Sequence, residues 1–115
     1  IYRYRVEFRL KCIDHIFPPQ WGVTHTTDLY MWLWGNGQTL EEYEKPLVKK
    51  ALVDPLAKFI RGDYRDMKWG TSSVKEVRRM RKDGSVDIWE DRMWSYGVTV
   101  WKTLLRAFGD VRPRL

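Results

Sequence analysis

The chain lacks most of the signatures that identify a complete enzyme or a membrane protein. Its 115 residues include one cysteine, Cys12, so no internal disulfide can form and the redox compartment cannot be read from cysteine usage. No apolar run reaches the roughly 18 residues needed to cross a bilayer. The sequence has no GxGxxG, GxxxxGKS/T, HExxH, CxxC or GxSxG motif. It therefore contains no nucleotide phosphate loop, zinc-protease helix or serine nucleophile elbow.

Positive charge is in excess, but it is dispersed along the chain. Twenty-one Lys and Arg against 15 Asp and Glu give a net charge of +6, within a composition that is 43% hydrophobic and 31% charged. Such a composition is typical of a folded globular segment. The most basic stretch, residues 75–82, could attract nucleic acid. Because no RNP1 pattern is present, the stretch is better interpreted as an exposed hairpin surface, and nucleic acid is an unexpected partner.

Alternation predicts a strand over residues 1–10. Apolar and aromatic side chains occupy every second position, and the positions between them hold Arg3, Arg5, Glu7 and Arg9. A period of two with β-prone residues is typical of a strand, and the arginine row is typical of a solvated face. Pro18 and the proline after it then predict an extended loop over residues 11–23.

Helical periodicity predicts two later segments, and a hairpin is predicted between them. The first helical segment covers residues 39–62, with capping-box spacing between Thr39 and Glu42 and with prolines at 46 and 55 that should kink or divide it. Asp83-Gly84 between two β-prone runs predicts a hairpin. Residues 91–108 predict a final helix, whose apolar stripe is expected to lie in the core.

The stretch at residues 21–35 combines a histidine with a dense aromatic run. His25 is followed by Asp28, and Thr26 or Thr27 is predicted to cap a short helix. An imidazole beside an apolar run suits an active site, and it also suits a structural histidine. The spacing of the Cys, Asp and His residues between 12 and 28 fits no known metal scheme, so we expect neither a metal nor a cofactor. His15, in the approach loop, is interpreted as a residue without a catalytic role.

Residues 1–70 resemble the part of a type-B carboxylesterase, within the α/β-hydrolase superfamily, that carries the catalytic histidine. In that family a Tyr-x-Tyr-x-Phe strand leads to a Gly-x-x-His-Gly-x-Glu/Asp-Leu motif and an aromatic segment. Here residues 2–8 read YRYRVEF and residues 22–29 read GVTHTTDL. A later Phe-Ala-x-x-Gly-type segment is similar to residues 56–63, and Trp69 follows. Thr26 departs from the family, which has glycine after the histidine.

The resemblance implies that the chain is an α+β fragment of an α/β-hydrolase, made of a late sheet strand, the histidine loop, helices and a small hairpin. Residues 1–115 would be the C-terminal part of the hydrolase domain, with a carboxylic ester as substrate. His25 would be the general base, with Gly22 and Asp28 supporting its loop. The residues that would border the substrate site, although packing is the commoner role for such aromatics, are Tyr30, Trp32 and Trp34.

An upstream hydrolase segment would have to supply the serine and the acid, so we expect the chain alone to be inactive. Two alternatives stay open. One is a small basic α+β module that binds nucleic acid or a protein through Arg3, Arg5, Arg9 and the basic stretch. The other is an inactive product of a decayed gene. No membrane partner is expected, and the compartment cannot be read from these residues.

Overall fold

A three-stranded mixed sheet joins the first strand to a hairpin late in the sequence in the computed structural model, which describes residues 2–108. Strand β1 (Tyr4–Val6) runs parallel to β2 (Glu76–Met80), and β2 pairs antiparallel with β3 (Val86–Glu90). The β1 register places Tyr4 opposite Arg78 and Val6 opposite Met80. Parallel strands need a long crossover, and here it contains every described helix except the last one.

The crossover begins with short turns and continues as a divided helix. Two 3₁₀ turns, Lys11–Ile13 and Pro19–Trp21, precede helix α1 (Leu29–Trp32). Helix α2 (Glu44–Val48), a π-helical turn (Lys49–Val53) and helix α3 (Asp54–Ile60) then form one continuous rod. Helix α4 (Trp94–Phe108) follows the hairpin. No helix in residues 2–108 combines the length and the apolar character that crossing a membrane requires.

The core lies between the end of β1, the first turns and the divided helix. Its buried members are apolar side chains drawn from all of these segments and from the end of β2. They are Phe8, Leu10, Ile13, Met31, Leu40, Val48, Ala51, Leu52 and Met80. The core therefore connects the histidine-bearing loop to the helices and to the hairpin.

Strand β1 is shorter than the alternation predicts. Its ladder closes with the Glu7 N–H donating to the Met80 carbonyl at 2.8 Å, and β2 ends at Met80 because the hairpin turn follows. Without a further partner, the chain leaves the sheet. Phe8 and Leu10 are then buried in the core instead of continuing a strand face. The predicted α+β architecture and the predicted hairpin are confirmed, and the predicted length of the first strand is wrong.

The predicted capping box at Thr39 and Glu42 is wrong, because the helix begins at Glu44. Glu44 is fully buried, and its carboxylate accepts the Lys11 N–H at 2.7 Å and the Glu41 N–H at 2.9 Å. A carboxylate satisfied in this way can remain in a core. It therefore ties the start of the helical rod to the loop that follows β1.

The two prolines divide the helical rod as expected. Pro46 is the third residue of α2 and Pro55 is the second of α3, with the π turn between them. Pro55 has no N–H to donate to the carbonyls of the previous turn. Arg78 of β2 takes that place, since its guanidinium donates to the carbonyls of Ala51 at 3.3 Å and Lys50 at 3.5 Å.

Arg78 also joins the rod to the segment before the hairpin. Its Nη1 donates to the Trp69 carbonyl at 3.0 Å, and the guanidinium lies 5.5 Å from the centre of a Trp69 ring. Burial lowers the pKa of Arg78 from its ordinary value. One side chain therefore connects the sheet, the helical rod and the Trp69 segment.

Helix α4 confirms the predicted final helix, but its apolar stripe is not core. None of its residues is buried, and Trp101 and Phe108 are 62% and 75% exposed. The helix is held at its base by Arg3, which pairs with Asp91 and lies 4.4 Å from a Trp94 ring centre. The expectation that the stripe packs inside is wrong for residues 2–108, because no other described element covers it.

Replacing Arg78 with Met should destabilise the chain by about 1–3 kcal/mol, because three carbonyls lose a charged donor. Arg5→Met is the matched control, since the Arg5 side chain is 54% exposed and pairs with Glu7 at 2.8 Å, and such exposed pairs contribute little. Urea unfolding of the two variants measures the difference. Equal midpoints would contradict the bridging role of Arg78.

Candidate functional site

His25 lies on a β-turn formed by residues 24–27. The Thr27 N–H donates to the Thr24 carbonyl at 3.2 Å, and the Thr27 hydroxyl donates to the same oxygen at 2.7 Å. The Thr24 N–H in turn donates to the Thr27 hydroxyl oxygen at 3.1 Å. Thr27 is buried, whereas the His25 side chain is exposed. The turn therefore buries Thr27 inside the protein and presents the His25 imidazole at the surface.

Thr26 adopts a backbone conformation that normally belongs to glycine. Its φ is +73°, and His25 before it is not among the residues with positive φ. Positive φ at the third turn position alone is typical of a type II turn, which usually has glycine or asparagine there. A β-branched residue in this region is strained by about 1–3 kcal/mol. Thr26 thus keeps a glycine-like conformation at the position where the resembled family has glycine.

Arg9 holds the loop that precedes the turn. Its guanidinium donates to the Phe17 carbonyl at 2.7 Å, to Asp14 Oδ1 at 2.9 Å and to the Gly22 carbonyl. Gly22 has a φ of +65°, which ends the second 3₁₀ turn. The Arg9 side chain is 16% exposed, and its bonds to the Phe17 and Gly22 carbonyls are partly buried.

Asp28 connects the other side of the turn to the sheet. The Tyr4 hydroxyl donates to Asp28 Oδ2 at 2.7 Å. Burial, with the Asp28 carboxylate as a smaller cause, raises the pKa of Tyr4 above its ordinary value. Asp28 precedes α1 but makes no side-chain cap, and the Thr27 hydroxyl is used within the turn. The prediction that Thr26 or Thr27 caps this helix is therefore wrong.

The three aromatic residues after the turn occupy different environments. Trp32 lines an apolar cavity of about 450 Å³ together with Tyr4, and the two rings meet edge to face at 5.1 Å. Tyr30 packs edge to face on Phe17 at 6.3 Å. Trp34 is 45% exposed and has a φ of +50°. The structure thus places one of the three at a cavity and does not gather them into one pocket.

The residues around His25 do not include a complete catalytic set. Within residues 2–108 no side chain hydrogen-bonds to its imidazole, and no three His, Cys, Asp or Glu side chains lie close enough together to hold a metal. An exposed imidazole on a held turn can accept and return a proton when a hydroxyl is brought to it. Such a hydroxyl is not positioned at His25 by residues 2–108.

Several arginines of the basic-module alternative make contacts within the protein. Arg3 pairs with Asp91, Arg5 with Glu7 at 2.8 Å, and Arg9 with Asp14 at 2.9 Å. Arg78 donates to backbone carbonyls, as described above. These contacts give the arginine row a structural use, and they leave the nucleic-acid alternative without a specific supporting observation.

Two residues that organise the loop were not identified by their pattern. The alternation assigned Tyr4 to the apolar face and Arg9 to the polar face of a strand. It could not name their partners, because Asp28 and Gly22 are distant in sequence. The family position of Asp28 was the one signal that this carboxylate belongs to the loop.

The chain is similar to an ester hydrolase. A protein of Gibberella moniliformis (strain M3125 / FGSC 7600) named carboxylic ester hydrolase is 43% identical over 104 residues, which cover 89% of this chain and 18% of that protein. A protein of Schizosaccharomyces pombe (strain 972 / ATCC 24843) named uncharacterized esterase/lipase is 32% identical over 109 residues, covering 95% of this chain and 20% of that protein. Both similarities support an esterase family.

The chain spans about a fifth of the length of these two relatives. Because the first match covers 89% of the chain, it extends over the histidine turn. No protein-family model matches the chain, and no solved structure matches it significantly.

Replacing Thr26 with Gly should stabilise the chain by about 1 kcal/mol, because the strain relieved exceeds the entropy that glycine adds to the unfolded state. Thr39→Gly is the matched control, since Thr39 is exposed and has no positive φ; it should lower stability by up to about 1 kcal/mol. Thermal unfolding distinguishes them. A loss of stability in Thr26→Gly would contradict the strained turn.

Proposed function

We propose that residues 1–115 are the C-terminal part of a serine carboxylic-ester hydrolase of the type-B, α/β-hydrolase kind, in which His25 is the general base. The observation that carries this proposal is the 43% identity to a protein named carboxylic ester hydrolase over 89% of the chain. The left-handed conformation of Thr26 supports it as well, because the family places glycine directly after its histidine.

In this proposal β1 is a late strand of a larger sheet, and the rest of the protein supplies the missing chemistry. A serine hydroxyl attacks the ester carbonyl while His25 takes its proton, and the imidazolium then gives that proton to the leaving alcohol. Water then attacks the acyl-enzyme while His25 takes its proton, and the imidazolium returns that proton to the serine oxygen as the acid is released. A carboxylate from the upstream segment holds the imidazole tautomer, and backbone donors there stabilise the oxyanion.

The exposure of His25 is compatible with this division of roles. Because neither ring nitrogen has a hydrogen-bond partner among residues 2–108, one nitrogen can receive the acid and the other the serine. Gly22 and Asp28 support the loop through Arg9 and Tyr4. Trp32, at the apolar cavity, lies at the border of the substrate site in this proposal, whereas Tyr30 and Trp34 do not line that cavity.

A fusion protein tests the role of His25. In it, this chain replaces the matching segment of the Gibberella moniliformis relative, and the unaltered relative is the positive control. His25→Ala should lower kcat/KM for a chromogenic short-chain ester by at least about a thousandfold, because the general base is lost. His15→Ala is the matched control, since His15 is also exposed and lies in the same loop. An active fusion that tolerates His25→Ala would overturn the proposal.

The isolated chain tests the need for the remaining segments. We expect no ester turnover above the buffer rate, because no hydroxyl is positioned at His25 within residues 2–108. Turnover by the isolated chain that disappears in His25→Ala would show that the site is complete without them.

A further inference from the structure

We propose that Tyr4 is a positioning residue for His25 and that it acts through Asp28. The inference rests on the proposed function, because it assigns a role in placing the general base. Tyr4 does not touch His25 itself. It connects the sheet to the segment that follows the histidine turn, and it thereby sets where the turn lies relative to β1.

Tyr4 can serve as a fixed point because the sheet holds it. It is paired with Arg78 across the two parallel strands, and the Arg78 N–H donates to the Arg3 carbonyl at 3.1 Å. Its ring packs edge to face on Trp32 of α1, with the planes at 78°. The strand restrains the Tyr4 backbone and Trp32 restrains its ring, which places the hydroxyl beside Asp28 although 44% of the residue is exposed. That hydroxyl donates to Asp28 Oδ2 at 2.7 Å.

Asp28 transmits this restraint to the turn. Its carbonyl accepts the N–H groups of Met31 at 2.9 Å and Trp32 at 3.1 Å, which begins α1. The residue after it, Leu29, donates its N–H to the Thr26 carbonyl at 3.1 Å. The side chain of Asp28 is therefore bound to the sheet, while its backbone lies between the helix and the strained Thr26.

Strain in the turn makes such a restraint necessary. A residue in an unfavourable backbone conformation persists when its surroundings hold it from more than one direction. Arg9 holds the chain three residues before His25, through the Gly22 carbonyl. Tyr4 holds it three residues after His25, through Asp28. The two anchors come from the same end of the chain, so β1 and the segment after it determine the position of the turn.

The same geometry separates Asp28 from the role of the catalytic acid. Its carboxylate accepts the Tyr4 hydroxyl, and no hydrogen bond joins it to His25. A carboxylate that oriented the imidazole would instead accept a ring N–H. Asp28 is therefore a positioning residue like Tyr4, and the acid comes from outside residues 2–108 in the proposed enzyme.

Kinetics of the fusion protein test the inference in the catalytic context. Tyr4→Phe keeps the ring on Trp32 and removes the hydroxyl, and it should lower kcat about tenfold with less than about a twofold change in KM, since a small misplacement of a catalytic group is costly. Tyr64→Phe is the matched control, because Tyr64 is exposed and lies outside the apolar cavity. It should leave both constants unchanged.

A double-mutant cycle separates positioning from general damage. Asp28→Ala should cost as much kcat as Tyr4→Phe, and the two together should cost no more than either alone, because both remove the same contact. Asp28→Asn keeps an oxygen that accepts the Tyr4 hydroxyl, so it should recover most of the loss. Additive losses in the double variant, or an unchanged kcat in Tyr4→Phe, would overturn the inference.

Hydrogen exchange in the 115-residue chain gives a readout that needs no activity. The Thr27 and Leu29 amides should exchange several-fold faster in Tyr4→Phe and unchanged in Tyr64→Phe, because their acceptors lie in the turn. Equal exchange in the two variants would overturn the inference. If the fusion shows no dependence on His25, the proposed function fails, and exchange then decides whether Tyr4 holds the turn.

Discussion

The pairing of Tyr4 with Arg78 across two parallel strands is the contact on which the arrangement depends. From one side of this pair, the Tyr4 hydroxyl reaches Asp28 and the histidine turn. From the other side, the Arg78 guanidinium donates to the Ala51 carbonyl, to which Pro55 cannot donate, and to the Trp69 carbonyl. A single position in the sheet therefore connects the turn, the helical rod and the hairpin. A slip in the strand register would separate all of them.

Two opposing demands meet at His25. In the proposed enzyme the imidazole has to be accessible to the serine, and a general base also has to be held within a fraction of an ångström. The structure meets both by burying Thr27 and exposing His25 within the same turn. The exposed apolar face of α4 is compatible with a larger protein around this chain, because contiguous apolar surface commonly marks an interaction surface.

Local signals in the sequence were reliable where local chemistry decides the structure. Asp83-Gly84 predicted the hairpin, and the prolines predicted a divided helix. The predicted capping box was wrong, because Glu44 and not Glu42 accepts backbone N–H groups. One of these donors is Lys11, which lies in a loop distant in sequence. The predicted length of β1 was wrong for a similar reason, because β1 loses its pairing partner where β2 ends. Alternation assigns a face to Tyr4 but cannot name Asp28 as its partner.

A crystal structure of the fusion protein would test the central claim most directly, because it measures the distance from His25 to the nucleophile. The account predicts that an imidazole nitrogen of His25 lies about 3 Å from a serine hydroxyl of the upstream segment, with a carboxylate at its other nitrogen. The Tyr4–Asp28 hydrogen bond should be present in that structure. A His25 side chain beyond hydrogen-bonding reach of any serine, with another histidine in that place, would contradict it.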